Sequence, residues 1–283
     1  MTKHFVRITG IIALILLCMF LPFLPGRYDG LAVTLSAMMQ VFSIVGLLLV
    51  PLGILWLWFE MAKRKKTSKH GNHTKPFIFA TLIILGLIAF VLSMVPLTNY
   101  HVSFGILFFV FSFYLLVSRY FRIRKAGIAS NLKINGIPFY LIIIPTVAAV
   151  ARFAFISPAV QFSRDYVIKK SEPLIAAIEA HHAKNGTYPI SLQALHGDIL
   201  PGMIGVKQYH YERNGAAYNL YFKQFSDELD VDEIVMYNKS DEHAFAGHVL
   251  DILEYSGEEL ALRRGDRHRY KLSAPHWIYI KLE

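Results

Sequence analysis

Apolar residues in this chain form long unbroken runs up to about residue 156 and short alternating runs after it. The long runs cover 5–24, 31–59, 77–95, 102–117 and 138–156. About 20 apolar residues, at 1.5 Å of rise each, cross a hydrocarbon core of ~30 Å, so each run predicts a membrane-spanning helix. Pro51 predicts a kink or a shortened helix in the second run, because proline offers no N–H to the carbonyl four positions back. Trp56, Trp58 and Phe59 at the end of that run predict an interfacial aromatic belt. Pro96 closes the third run and Pro158 the fifth. Tyr100, Tyr120 and Phe121 extend the short fourth run into the interfaces. The first run, led by Lys3 and Arg7, has the outline of a signal peptide. Its length, and the lack of a small-x-small cleavage site before Gly30, favour a retained span.

Beyond Pro158 the period changes. Residues 159–185 predict helix, with Val167, Ile168, Leu174, Ile175, Ala177, Ile178 and His181 on one broad face. Pro173, following Ser171 and Glu172, predicts either a second helix capped by Ser171 or a kink in one long helix. Gly186 stops the helix, and Tyr188-Pro189 forces an extended exit. Ser191 is placed to cap a short helix reaching Leu195. Residues 206–213 alternate, with Tyr209 and Tyr211 on one face. Asn214-Gly215 is a hairpin-turn signal, and 217–222 pairs back with Tyr218, Leu220 and Phe222 on one face. Residues 232–238 and 277–282 predict two more strands. The expected fold class is therefore a membrane α-helical region of about five spans, 1–157, followed by an extracytoplasmic α+β domain, 158–283. In that domain a helix packs on a small antiparallel sheet.

Composition agrees with spans: 54% of the 283 residues are hydrophobic and 17% charged, too apolar for a soluble chain of this length. Charge then sets orientation. Residues 1–157 hold 15 Lys and Arg against the two acids Asp29 and Glu60, a net of +13; the tail holds 14 against 18, a net of −4. The basic residues cluster in alternate connections. Lys3 and Arg7 precede the first span. Lys63, Arg64, Lys65, Lys66, Lys69 and Lys75 follow the second, and Arg119, Arg122, Arg124, Lys125 and Lys133 follow the fourth. The loops between hold Arg27 against Asp29, and no Lys or Arg at 97–101. The positive-inside bias places the amino terminus and both basic loops in the cytoplasm, and five crossings put the tail outside. The overall +9 is thus accounted for by loops, without a basic stripe for nucleic acid. Cys18 stands alone within the first run, so the chain holds no internal disulfide, and the thiol reads as a small packing residue.

The spans offer little for ion-coupled transport, which needs ionisable groups at membrane depth. Gln40, Ser43, Ser93 and Ser112 read as interhelical hydrogen-bonding groups. Arg152, near the outer end of the fifth span, reads as a snorkelling arginine. Its sharper reading is a partner for a lipid headgroup or for an outer-loop carboxylate such as Asp29. No internal repeat marks a transporter fold. In the tail, eight histidines (181, 182, 196, 210, 243, 248, 268 and 276) read as solvated surface residues. The grouping Asp241-Glu242-His243 with His248 and Asp251 has poor spacing for shared zinc ligation. No nucleophile motif, Walker A segment or dinucleotide fingerprint occurs. Asn238-Lys-Ser240 matches a glycosylation sequon. The 63–75 loop is suited to anionic headgroups but serves first to fix topology.

The stretch 175–195, IAAIEAHHAKNGTYPISLQAL, resembles type IV pilins and type II secretion pseudopilins. There a membrane helix runs into an amphipathic helix, followed by Gly-x-Tyr-Pro, a Ser-Leu-x-x-Leu turn and a small antiparallel sheet. The matching positions are Gly186, Tyr188, Pro189, Ser191, Leu192 and Leu195, and the likeness covers about 140–224. In those proteins the span is amino-terminal and follows a cleaved leader; here four spans precede it. The resemblance implies a fold for the domain, with no activity attached. Some pseudopilins hold calcium in an acidic loop, which draws attention to Asp227, Asp230 and Asp232. That run lacks the glycine and distal glutamate of an EF-hand, and the plainer reading is a solvated strand edge with no cofactor. The expected protein is a multi-span protein of the bacterial inner membrane, in contact with the bilayer. It presents the pilin-like domain to another envelope protein or to wall material through exposed aromatics of the sheet, without catalysis. The alternative is a small transporter or channel component with an outer cap, and a membrane enzyme ranks behind both.

Overall fold

The fold comes from a computed structural model. It describes residues 2–65, 74–98, 102–125, 136–195, 200–214, 217–226, 232–241, 243 and 267–282. The chain divides into two compact units: Met1–Phe20 with Thr34–Ile156, and Leu21–Val33 with Ser157–Glu283.

The first unit is helical. It contains α1 (Thr2–Phe20), α2 (Gly30–Val45), α3 (Leu49–Lys65), α4 (Thr74–Thr98), α5 (Val102–Lys125) and the start of α6 (Ile137–Asn185). Five helical stretches among the described residues are long and apolar enough to cross a membrane: Lys3–Phe23, Gly30–Ala62, Pro76–Pro96, Val102–Phe121 and Ile137–Asn185. The second joins α2 to α3 through one 3-10 turn, Gly46–Leu48. Pro51 explains that turn, because it leaves the Leu47 carbonyl without the N–H that would continue the α-helix and crowds it with its ring.

Small residues and polar groups set the helix contacts. A Cβ on Gly53 would meet Ile142 Cγ1 at 2.7 Å and the Pro138 carbonyl oxygen at 3.2 Å, so the missing side chain lets α3 lie against the start of α6. Trp56 is buried, stacks on Phe77 at 5.7 Å and donates its indole N–H to Glu60 Oε1 at 3.3 Å. It is a core residue, whereas Trp58 is 65% exposed. Ser36 makes an interhelical hydrogen bond, its hydroxyl donating to the Met19 carbonyl while it accepts from Gln40 on its own helix. Ser43 and Ser93 donate to carbonyls of their own helices, Gln40 and Phe90.

α6 does not end at Pro158, nor break at Pro173; it runs unbroken for 49 residues. Each proline costs one backbone hydrogen bond. The cost is outweighed where Val167, Ile168, Leu174 and Ile178 bury one face of the helix against a sheet, each worth roughly 1.5–3 kcal/mol of apolar burial. That sheet comprises β1 (His210–Asn214), β2 (Ala217–Gln224), β3 (Asp232–Asn238), β4 (Arg267–Lys271) and β5 (Trp277–Leu282), in the order β1-β2-β3-β5-β4. All neighbours are antiparallel. Asn214 pairs with Ala217, so β1 and β2 are joined through positions 215 and 216, outside the described residues. Tyr218, Leu220, Phe222, Val235, Tyr237 and Trp277 face the helix. Tyr221, Ile234, Met236, Ile278 and Ile280 form a second buried cluster, as alternation along the strands requires.

The segment Leu21–Val33 belongs to this second unit. It forms a strap along 202–206. Gly26 N–H donates to the Gly202 carbonyl at 2.9 Å, Ile204 N–H to Leu24 at 3.1 Å, Asp29 N–H to Ile204 at 3.1 Å and Gly205 N–H to Pro22 at 2.8 Å. Phe23 is buried beside Phe225, ring centres 5.8 Å apart. Asp29 then caps α2, its carboxylate accepting from the N–H groups of Leu31 at 2.9 Å and Ala32 at 3.3 Å.

Candidate functional site

The Gly-x-Tyr-Pro segment is where sequence and geometry meet. Gly186 adopts φ +69°, a left-handed conformation that glycine reaches without a Cβ penalty. Its N–H closes the last turn of α6 on the His182 carbonyl at 2.8 Å. Tyr188 is buried, stacked on His182 at 4.1 Å and edge-on to Tyr218 at 4.9 Å. The Pro189 carbonyl accepts from the Tyr211 hydroxyl at 2.9 Å, which pins the exit from α6 to β1. Ser191 precedes a single 3-10 turn, Leu192–Ala194, and makes no side-chain cap; the turn is closed by Leu195 N–H on the Leu192 carbonyl at 3.0 Å. Leu192 and Leu195 pack against the core. All six motif residues therefore sit in one connected corner, and Ile190 between them is 88% exposed.

Burial raises the phenol pKa values around this corner. Tyr211 is pushed up to about 12, chiefly by desolvation. Tyr218 is raised further, by desolvation first and then by Tyr237 and Glu179. Its hydroxyl donates to Glu179 Oε1 at 3.3 Å, and Lys239 pairs with Glu179 Oε2 at 2.8 Å. These tyrosines are neutral hydrogen-bond donors at ordinary pH.

A buried ion pair ties α6 to β3. Arg164 Nε donates to Glu233 Oε1 at 3.1 Å, Nη2 reaches the same oxygen, and the guanidinium lies 4.0 Å from the Tyr279 ring centre. Glu233 is 1% exposed and Arg164 8%. The composition of the tail gave no sign of this pair, since its partners are 69 residues apart.

The expectation of exposed sheet aromatics needs correction. Tyr209, Tyr218, Tyr221, Phe222, Tyr237 and Trp277 are all buried. Tyr270, on the edge strand β4, is 40% exposed and stacks on Tyr279 at 4.6 Å. Among the described residues of this unit the exposed large apolar side chains include Leu24, Leu31, Phe162, Ile190 and Leu200, with Ile190 the most exposed. Two of the described histidines, His210 and His243, differ from a solvated set, while His276 is exposed and His196 and His248 lie outside the described residues. His210 stacks on Tyr221 at 5.1 Å, with its pKa lowered by burial and then by Lys223. His243 is buried, its two ring nitrogens 3.1 Å from the Asp241 carbonyl and 3.0 Å from that of His276.

Asp227 and Asp230 lie outside the described residues, as do Glu242, His248 and Asp251; Asp232 opens β3. Among the described residues no group of three metal-ligating side chains occurs. Arg152 lies within α6 with its guanidinium 5.3 Å from the Phe153 ring centre, and the Asp29 carboxylate is used as a helix cap. Compared with family models, curated proteins and solved structures, the chain finds no match in any of the three.

Proposed function

We propose that this chain is a multi-span protein of the bacterial inner membrane that holds a pilin-like α+β domain on the outer side, for contact with another envelope protein or wall material and without catalysis. The observation that carries the reading is the strap. The Leu21–Val33 segment follows the first apolar helix, and its backbone bonds to 202–205 join it to a domain that follows the fifth. Segments separated by four crossings emerge on the same side of a bilayer, so the strap agrees with five spans, as it would with any even number of crossings between the two segments. The basic segments fall on the opposite side by the same parity, where the positive-inside bias wants them. Support for contact comes from the corner around Gly186, where Ile190 stands out next to the edge strand β1. A terminal strand of a sheet with an apolar anchor beside it suits recognition by strand addition.

A photo-reactive amino acid at Ile190 in the full membrane-inserted chain tests the reading. Irradiation of cells is expected to give a protein or glycan adduct of one discrete mass, absent when the same group replaces the exposed Glu172. Adducts to lipid alone, or solute flux through the reconstituted chain, would contradict it.

A further inference from the structure

α1 and the first turn of α6 frame an open groove of about 570 Å3, lined by His4, Arg7, Gly10, Ile11, Leu14, Ile137 and Tyr140. Its two ends differ chemically. At one end are Arg7, His4 and Tyr140, the imidazole Nδ1 3.0 Å from the phenol oxygen. A phenol donating to Nδ1 sets the tautomer that keeps Nε2–H as a further donor. Gly136 makes that arrangement possible, since a Cβ there would meet the His4 ring at 3.1 Å. Toward the other end the lining is apolar, and at Gly10 a Cβ would find nothing within 4 Å. From His4 to Leu14 the helix rises about 15 Å, half of a ~30 Å hydrocarbon core and thus one leaflet deep. Neither α1 nor the first turn of α6 contains an acidic residue.

We propose that this groove seats one anionic phospholipid of the leaflet on the side of the basic loops. Its phosphate lies on Arg7 and on the Nε2–H of His4, which Tyr140 orients, and one acyl chain runs along Gly10, Ile11 and Leu14. The proposal rests on the membrane reading above. The match is of charge, through a cation with an adjoining imidazole donor and no carboxylate on the two lining helix segments, and of length, through an apolar groove as long as one acyl layer.

The test is native mass spectrometry of the detergent-solubilised full chain, offered phosphatidylglycerol and phosphatidylethanolamine in equal amounts. Wild type is expected to keep one phosphatidylglycerol. Arg7→Gln should lower its occupancy by about fivefold, the loss of one cation beside a phosphate. Gly10→Leu should lower it by a similar factor by filling the open floor, in a position where the larger side chain disturbs no neighbour. Lys3→Gln, a charge outside the groove, should leave it unchanged. Equal losses in Lys3→Gln and Arg7→Gln, full retention in Gly10→Leu, or displacement by glycerol 3-phosphate as efficient as by the lipid would each overturn the proposal. Failure of the membrane reading has a separate signature: recovery of the chain from membranes by alkaline wash without detergent.

Discussion

Arg164 and Glu233 are ionised side chains held out of water, and the pair sets the energetic stakes at the residue scale. Their attraction roughly offsets the cost of desolvating them, whereas either one alone would be a buried, uncompensated charge. Arg164→Ala or Glu233→Ala should therefore destabilise the second unit by about 3–5 kcal/mol, whereas Arg164→Met with Glu233→Leu should cost far less. Thermal unfolding of the full chain in detergent, followed by near-ultraviolet circular dichroism, reads the difference. Titration supplies a second residue-scale expectation. His210 is held below its ordinary pKa by burial and by Lys223. The unfolded chain then takes that proton more readily, and stability falls as pH drops below ~6.5. Tyr209, Tyr218 and Tyr221 are raised, each chiefly by burial. The unfolded chain loses those protons first, so stability also falls as pH rises above ~10. The share of phenolate absorbance due to these buried tyrosines should appear together with unfolding; titration of the full tyrosine complement with the fold intact would contradict the buried assignment.

At the scale of elements, legibility followed the range of the interactions. The spans were readable because length and hydropathy act within one segment, and Tyr218, Leu220 and Phe222 were readable because a pleated strand alternates. The stop expected at Pro158 failed, and of the two readings at Pro173 the separate helix did too, because a local rule met a tertiary one: the buried face of α6 outweighs the bonds those prolines forgo. β4 gave no signal, since Arg267-His-Arg-Tyr-Lys271 lacks alternating apolar positions and is fixed by its pairing with β5. The strap was invisible because its bonds are backbone to backbone between positions such as 26 and 202. In the motif corner, Gly186 and Tyr188-Pro189 behave as their residue types demand, while the burial of Tyr188 between the ring of His182 and the edge-on ring of Tyr218 required the sheet to be in place. Gly205 gives the strap a direct test, because a Cβ there would meet the Pro22 carbonyl oxygen at 2.8 Å. Gly205→Ala should cost about 1–3 kcal/mol. It should also speed hydrogen exchange at the Gly26 and Ile204 amides, and unchanged exchange at both would count against the strap.

At the scale of the whole molecule, everything turns on which segments share a side. Five helices are long and apolar enough to cross a membrane, the strap ties the first connection to the 202–205 segment, and the proposed topology puts the basic connections on the opposite side. Cys18 is the one cysteine of the chain, so Cys18→Ser gives a clean background for single-cysteine reporters. Ile190→Cys and Lys69→Cys, placed separately in that background, can be probed with a membrane-impermeant maleimide on intact spheroplasts and again after the membranes are opened. The account predicts that Ile190→Cys is labelled on intact spheroplasts and that Lys69→Cys is labelled only after opening; the reverse pattern, or labelling of both before opening, would contradict it.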